Sequence, residues 1–230
     1  MQAERLLAVG AELAEGPVWD KQAQEVVWVD VLAGRVNRLS LNGQVGPSAQ
    51  LPSSVGAVAF ATNNAWFGAT PDGLRRLEDH FLAVGLPQQG SGLRMNDGKV
   101  DPQGRFVGGT MTIGRPRKGA GSLWSFDGAG VRMLVDNVTI SNGLAWSADG
   151  RTMFYVDTPT QRIDAFDYNP LSGAVANRRP WAHIPSEVGA PDDMCIDVEG
   201  GLWIALWGGS AVVRLLDGAV TERIEVPTPQ

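Results

Sequence analysis

Apolar positions along the chain come in short runs of four to seven residues, separated by polar turn pairs. Val26-Val27-Trp28-Val29-Asp30 and Leu202-Trp203-Ile204-Ala205 have the length and the β-branched or aromatic content of buried strands. No window sustains a 3.6-residue apolar period, so helix is expected to be scarce. Turn pairs punctuate the runs at Asn42-Gly43, Asp72-Gly73, Asp127-Gly128 and Asp149-Gly150. A large aromatic near the start of a strand recurs at Trp28, Trp66, Phe106, Phe154 and Trp203, at intervals of 38, 40, 48 and 49 residues. A second strand follows each one, at Arg35 to Leu39, Gly73 to Leu77, Ser122 to Phe126, Arg162 to Phe166 and Ala211 to Leu215. Another strand precedes each and often ends in an Asp/Ser-x-x-Gly turn. Repeats of three or four strands with this period predict the blades of an all-β propeller, because one such sheet cannot bury both its faces alone.

Alignment of the five copies on their aromatics sets Glu15, Val55, Asn96, Asn142 and Asp192 at one repeat position, 13, 11, 10, 12 and 11 residues upstream. Four of the five carry side-chain oxygen. The innermost strands of propeller blades all run the same way along the channel, so equivalent positions are expected to gather at one end. Two carboxylates and two carboxamides are hard donors, suited to Ca²⁺, Mg²⁺ or Mn²⁺, with Zn²⁺ and Fe²⁺ also compatible. The plainer reading of each residue is a turn or a polar strand end, as in Asn142-Gly143 and Asn96-Asp97-Gly98.

Composition narrows the function classes. The 230 residues carry a net charge of −6, with 43% hydrophobic content. One globular domain over residues 1–230 is expected, without a nucleic-acid footprint. The densest basic stretch, Arg115, Arg117 and Lys118, reads as a solvated loop. There is no basic, apolar leader at the N-terminus and no run long enough to span a membrane, so a cytoplasmic protein is expected. The single cysteine, Cys195, excludes an internal disulfide framework and is expected to be a buried strand residue. The two histidines, His80 and His183, are expected at the surface or between blades, which leaves imidazole-based metal sites and Ser-His-Asp catalysis without their parts. Among the tryptophans, Trp28, Trp66 and Trp203 read as packing residues, with Trp19 and Trp207 as candidate pocket walls.

Four motifs occur in order: Ala14-Glu15-Gly16-Pro17-Val18-Trp19, Arg94-Met95-Asn96-Asp97-Gly98-Lys99-Val100-Asp101, Ser141-Asn142-Gly143-Leu144 and Pro191-Asp192-Asp193-Met194-Cys195-Ile196-Asp197. With these the chain resembles the gluconolactonase/regucalcin (senescence marker protein) family over essentially its whole length. The resemblance implies a six-bladed propeller that opens aldonolactones such as gluconolactone or xylonolactone. It implies one divalent cation, calcium first, held by Glu15, Asn142 and Asp192, with Asn96 nearby and Arg94 reaching the substrate. In the mechanism this suggests, the cation polarises the lactone carbonyl and Asp192 or Asp193 takes the proton from water. The competing class is a propeller that binds a cation without catalysis. Three departures stand out. Asp193 replaces the glycine usual after Asp192, Thr112-Ile113-Gly114 stands where some relatives carry an acidic residue, and the chain ends about one blade early. The sixth blade is therefore expected to be incomplete, with the strand around Leu6 to Val9 lacking a sheet to join.

Overall fold

The computed structural model describes residues 1–46, 48–61, 65–88, 90–127 and 130–228. These form twenty strands in five four-stranded antiparallel sheets, each a meander whose sequence order is its spatial order. The first sheet is β1 (Ala14–Asp20), β2 (Glu25–Asp30), β3 (Arg35–Ser40) and β4 (Ala49–Gln50). The second is β5 (Ala57–Phe60), β6 (Trp66–Thr70), β7 (Gly73–Arg76) and β8 (Leu82–Gly85). The third is β9 (Leu93–Val100), β10 (Phe106–Thr112), β11 (Gly121–Asp127) and β12 (Gly130–Val138). The fourth is β13 (Ser141–Trp146), β14 (Thr152–Asp157), β15 (Arg162–Asn169) and β16 (Ala174–His183). The fifth is β17 (Ala190–Ile196), β18 (Leu202–Trp207), β19 (Ala211–Leu216) and β20 (Ala219–Glu225). Helix is confined to two single 3₁₀ turns, Thr158–Thr160 and Ser186–Val188, and no helix among the described residues is long and apolar enough to cross a membrane.

The fold is an all-β propeller, with five blades among the described residues where the family resemblance implies six. It divides into two compact units, Gly10–Val138 with the first three sheets, and Thr139–Gln230 together with Met1–Val9 with the last two. In the first unit, Val27, Val29, Val36, Val55, Val58 and Trp66 form the core between the first two sheets. Between the second and third, the small residues Ala57, Ala59 and Ala69 meet Phe106, Trp124 and Phe126. In the second unit, Phe154, Val156, Ile163, Met194, Leu202 and Ile204 fill the space between the fourth and fifth sheets. Alternation along β2 accounts for the sorting, since Val27 and Val29 are fully buried while Val26 and Trp28 point to the other face and are half-buried.

The predicted Asp/Ser-x-x-Gly turns close β9, β13 and β17. Gly104 N–H donates to Asp101 O at 3.0 Å, Gly150 N–H to Ser147 O at 2.8 Å, and Gly200 N–H to Asp197 O at 3.1 Å. All three glycines have positive φ, which a side chain would oppose. The Asp127-Gly128 turn lies outside the described residues.

Three expectations need correction. The strand expected around Leu6 to Val9 does not form; instead Gln2 pairs in parallel with Glu225 on the outer edge of β20. Ala3 N–H donates to Glu225 O at 2.7 Å and Glu225 N–H to Met1 O at 2.9 Å. An unpaired strand edge offers backbone groups that the chain end satisfies. Cys195 is exposed, because the two-residue period of β17 sends Met194 into the core and its neighbour to the opposite face. Trp203 is half-buried rather than core, and its indole N–H donates to Asp197 at 3.0 Å.

The innermost strands of the second and third sheets run so close that a Cβ on Gly56 would lie 2.2 Å from Asn96 O and 2.5 Å from Met95 O. Both are backbone atoms with no rotamer to yield. Gly56→Ala is expected to cost about 1–3 kcal/mol, the usual range for overpacking, read as a lower urea midpoint with an unchanged slope.

Candidate functional site

In four of the five sheets the inner strand carries a β-bulge at or beside the aligned repeat position. Between β1 and β2, Glu15 pairs with Val29 and Val18 with Val27, so two residues oppose one just after Glu15. In β9, Asn96 and Asp97 together oppose Gly109. The register of β13 slips at Gly143, directly after Asn142. In β17, Asp192 and Asp193 together oppose Ala205. The β5–β6 ladder, from the one repeat that carries Val55, runs from Ala57 to Phe60 without a shift. A bulge bends the strand and re-aims the side chains around it, so the oxygen-bearing positions lie at or next to the residues whose backbone departs from the ladder.

Within the first unit, Arg94 and Asn96 are buried and Glu15 is half-buried. Arg94 Nη1 donates to Asn96 Oδ1 at 2.7 Å and to Met95 O at 3.0 Å. Burial lowers the Arg94 pKa, and the negative charge of Glu15 opposes that shift. A guanidinium donating to Asn96 Oδ1 places a positive charge beside that oxygen, which disfavours it as a cation ligand.

Within the second unit, Asn142 is buried and its amide is oriented. Nδ2 donates to Thr158 Oγ1 at 2.7 Å, and that hydroxyl donates to Pro191 O at 2.9 Å, tying β13 to the start of β17. With Nδ2 committed to Thr158, Oδ1 is the atom the amide presents on its other side. Gly143 permits this approach: a Cβ there would lie 2.6 Å from Asp192 O. Asp192 and Asp193 are both half-buried. Asp193 turns back on its own strand, its Oδ1 accepting the Met194 N–H at 2.6 Å. The Asp192 carboxyl is pushed up to about 6, first by burial and then by the adjacent Asp193, with a backbone hydrogen bond from Asp193 acting the other way.

Two aspartates that the sequence reading passed over set these strands in place. Asp30 accepts the backbone N–H groups of Glu12 and Leu13 at 3.2 and 3.1 Å, two residues before Glu15. Asp157 accepts those of Thr139 and Ile140, the latter at 2.9 Å, two residues before Asn142. The next residue completes the grip in both copies: Val31 N–H donates to Leu13 O at 2.9 Å and Thr158 N–H to Ile140 O at 3.1 Å. Burial raises the Asp157 pKa while these backbone donors lower it. The signal was present two and three residues after the aligned aromatics, in Trp28-Val29-Asp30 and Phe154-Tyr155-Val156-Asp157.

His80 and His183 are exposed, as are Trp19 and Trp207, at 45% and 42%. A cavity of about 460 Å³ between the second and third sheets, lined by Phe60, Phe67, Phe106 and Phe126 with Asp127, contains none of the candidate residues. Among the described residues no three His, Cys, Asp or Glu side chains gather into a metal-binding group.

Comparison with known proteins agrees with the motif resemblance. The profile of the SMP-30/Gluconolactonase/LRE-like region matches residues 13–230. The chain belongs to this family. A putative sugar lactone lactonase YvrE from Bacillus subtilis is 37% identical over 211 residues, covering 89% of this chain and 72% of its own. Regucalcin from Xenopus laevis is 34% identical over 213 residues, covering 89% and 71%. A crystal structure of a calcium-binding protein, regucalcin, from Agrobacterium tumefaciens superposes with a TM-score of 0.90 at 29% identity, covering 98% of this chain and 78% of the other.

The raised Asp192 pKa sets a pH dependence for the family member's cation-free form. An unfolded Asp ionises near 3.8, whereas the folded carboxyl holds its proton to about 6. Stability from this group therefore falls as pH rises from about 4 to about 6 and stays low above that. After a discount for the part of the side chain that meets solvent, the loss is about 1–2 kcal/mol. Asp192→Asn in EDTA is expected to stabilise by that amount at pH 8 and by almost nothing at pH 4, in urea titrations at the two pH values.

Proposed function

We propose that the protein hydrolyses sugar lactones with the help of one divalent cation held by Glu15, Asn142 and Asp192. Membership of a family that includes gluconolactonases supports sugar-lactone hydrolysis in general. The observation that carries the residue assignment is the recurrence of a bulge at or beside an oxygen-bearing residue in four sheets, in step with the repeat.

The donor set fits a hard cation. Two carboxylates and an amide oxygen are ligands for calcium, with magnesium, manganese, zinc or iron chemically compatible. Asn142 is pre-oriented by Thr158, as outer partners orient ligands in metal sites. Asp192 is a carboxylate whose burial and like-charged neighbour disfavour its ionised form, a cost that a bound cation would offset. Such an ion would supply Lewis-acid polarisation of the lactone carbonyl.

The chain's own residues account for the rest. The Asp192–Asp193 pair accepts the proton of the attacking water and returns it to the ring oxygen as the carbon–oxygen bond breaks, so that one water is consumed and a hydroxy acid is released. General-base assistance of this kind contributes about 10²–10⁴-fold. Arg94, fixed against Asn96, donates to the sugar hydroxyls or to the carbonyl oxygen as charge develops on it. The small-molecule lactone is the only partner this reading requires.

Glu15→Gln and Asp192→Ala are each expected to lower kcat/KM for glucono-δ-lactone at least ~100-fold over the spontaneous rate, with circular dichroism unchanged. Chelation followed by add-back of Ca²⁺, Zn²⁺, Mn²⁺, Mg²⁺ or Fe²⁺ should abolish and restore turnover. Undiminished turnover in either variant would refute the assignment, while calorimetric cation binding without turnover would favour a purely cation-binding propeller. Thr158→Val removes the group that orients Asn142 and is expected to weaken cation affinity roughly 10-fold to 100-fold, measured by calorimetry, with a smaller effect on kcat at saturating cation.

A further inference from the structure

The end of the third sheet that bears Arg94 also bears a cationic loop. Arg94 pairs with Met111 and Leu93 with Thr112, and Ile113 N–H extends this ladder by donating to Gly92 O at 2.9 Å. The connection to β11 then crosses residues 113–120, with Arg115, Arg117 and Lys118 all exposed. Its backbone is held in one shape by the buried Thr112, whose hydroxyl donates to Arg115 O at 2.9 Å and accepts the Arg117 N–H at 3.1 Å. Ala120 N–H closes the base of the loop on Arg117 O at 3.2 Å.

Several arginines of the same unit are neutralised in place. Arg75, Arg76 and Arg105 each pair with an aspartate, Asp72, Asp79 and Asp101. Among the described residues no carboxylate lies within ion-pair distance of Arg115, Arg117 or Lys118. The chain as a whole is acidic, at −6. Three cations without an ion-pair partner, three to six residues beyond the end of β10 that pairs with the Arg94-bearing start of β9, form a local positive field in a negative protein. A neutral sugar would gain little from such a field, whereas an anionic one would gain both capture rate and affinity.

We infer that the 113–120 loop selects lactones carrying an anionic group, a phosphate or a carboxylate, at the end of the sugar remote from the carbonyl. This rests on the lactonase reading, with Arg94 at the lactone. The loop cations act on the remote end through charge, which three flexible side chains supply without a rigid pocket.

The test compares 6-phosphoglucono-δ-lactone, glucarolactone and neutral glucono-δ-lactone, each corrected for spontaneous hydrolysis, at low and high ionic strength. The expected kcat/KM for at least one anionic lactone exceeds that of the neutral one ~10-fold or more at low salt, mostly through KM. The advantage should shrink toward unity near ~0.5 M salt, where the screening length is only a few ångströms. Whichever anion leads identifies the group. Replacing all three residues, Arg115→Ala, Arg117→Ala and Lys118→Ala, should remove the preference, while Arg115→Lys with Arg117→Lys should retain it. Equal turnover of neutral and anionic lactones by the wild type, or a preference that survives the triple substitution, overturns this inference alone. Absence of turnover with every lactone overturns the lactonase reading and this inference with it.

Discussion

A four-stranded meander has two faces, and within each unit the apolar faces of adjacent sheets cover one another. This mutual cover shapes the interior. Where the second and third sheets meet, Ala57, Ala59 and Ala69 accept Phe106, Trp124 and Phe126, so small and large side chains alternate across the seam instead of competing for volume. Near the strand starts the sheets converge further, and glycine becomes obligatory where one backbone passes another. Gly56 faces Asn96 O and Gly143 faces Asp192 O, in the two units respectively. The backbones pressed together there are those that carry Asn96, Asn142 and Asp192.

The bulges lie at or beside the same stretches of inner strand. In β1, β13 and β17 the extra residue breaks the two-residue alternation of side chains next to Glu15, Asn142 and Asp192. Asp30 and Asp157 fix the incoming chain two residues upstream of Glu15 and Asn142 by accepting hydrogen bonds from its backbone.

The acidic character of the protein is unevenly distributed, and this bears on recognition. Most strand arginines are neutralised in place, as in the Asp164 pairings with Arg162 and Arg178. The cations of the 113–120 loop are not, and they stand beyond the end of β10 that pairs with the Arg94-bearing start of β9. Charge that is not consumed by the fold is available to a ligand.

Repeat spacing, turn chemistry and strand period were legible in the linear chain because they are local. A strand alternates every two residues, a tight turn needs glycine, and a repeated unit repeats its landmarks. The third strands of all five sheets fall where Arg35, Gly73, Ser122, Arg162 and Ala211 predicted, and the aligned positions of Glu15, Asn96, Asn142 and Asp192 lie at or beside the bulges. Non-local choices were not legible. Cys195 faces outward because the pleat of β17 puts Met194 inward, and Met1 to Ala3, not Leu6 to Val9, found the edge of β20. The orientation of the Asn142 amide depends on Thr158, sixteen residues away, and on Pro191 beyond it. The sequence by itself determined which residues could supply the chemistry, since residue type and register are properties of the chain. Only the tertiary structure decided which atom each one presents, because that depends on hydrogen bonds between strands that the chain brings together after folding.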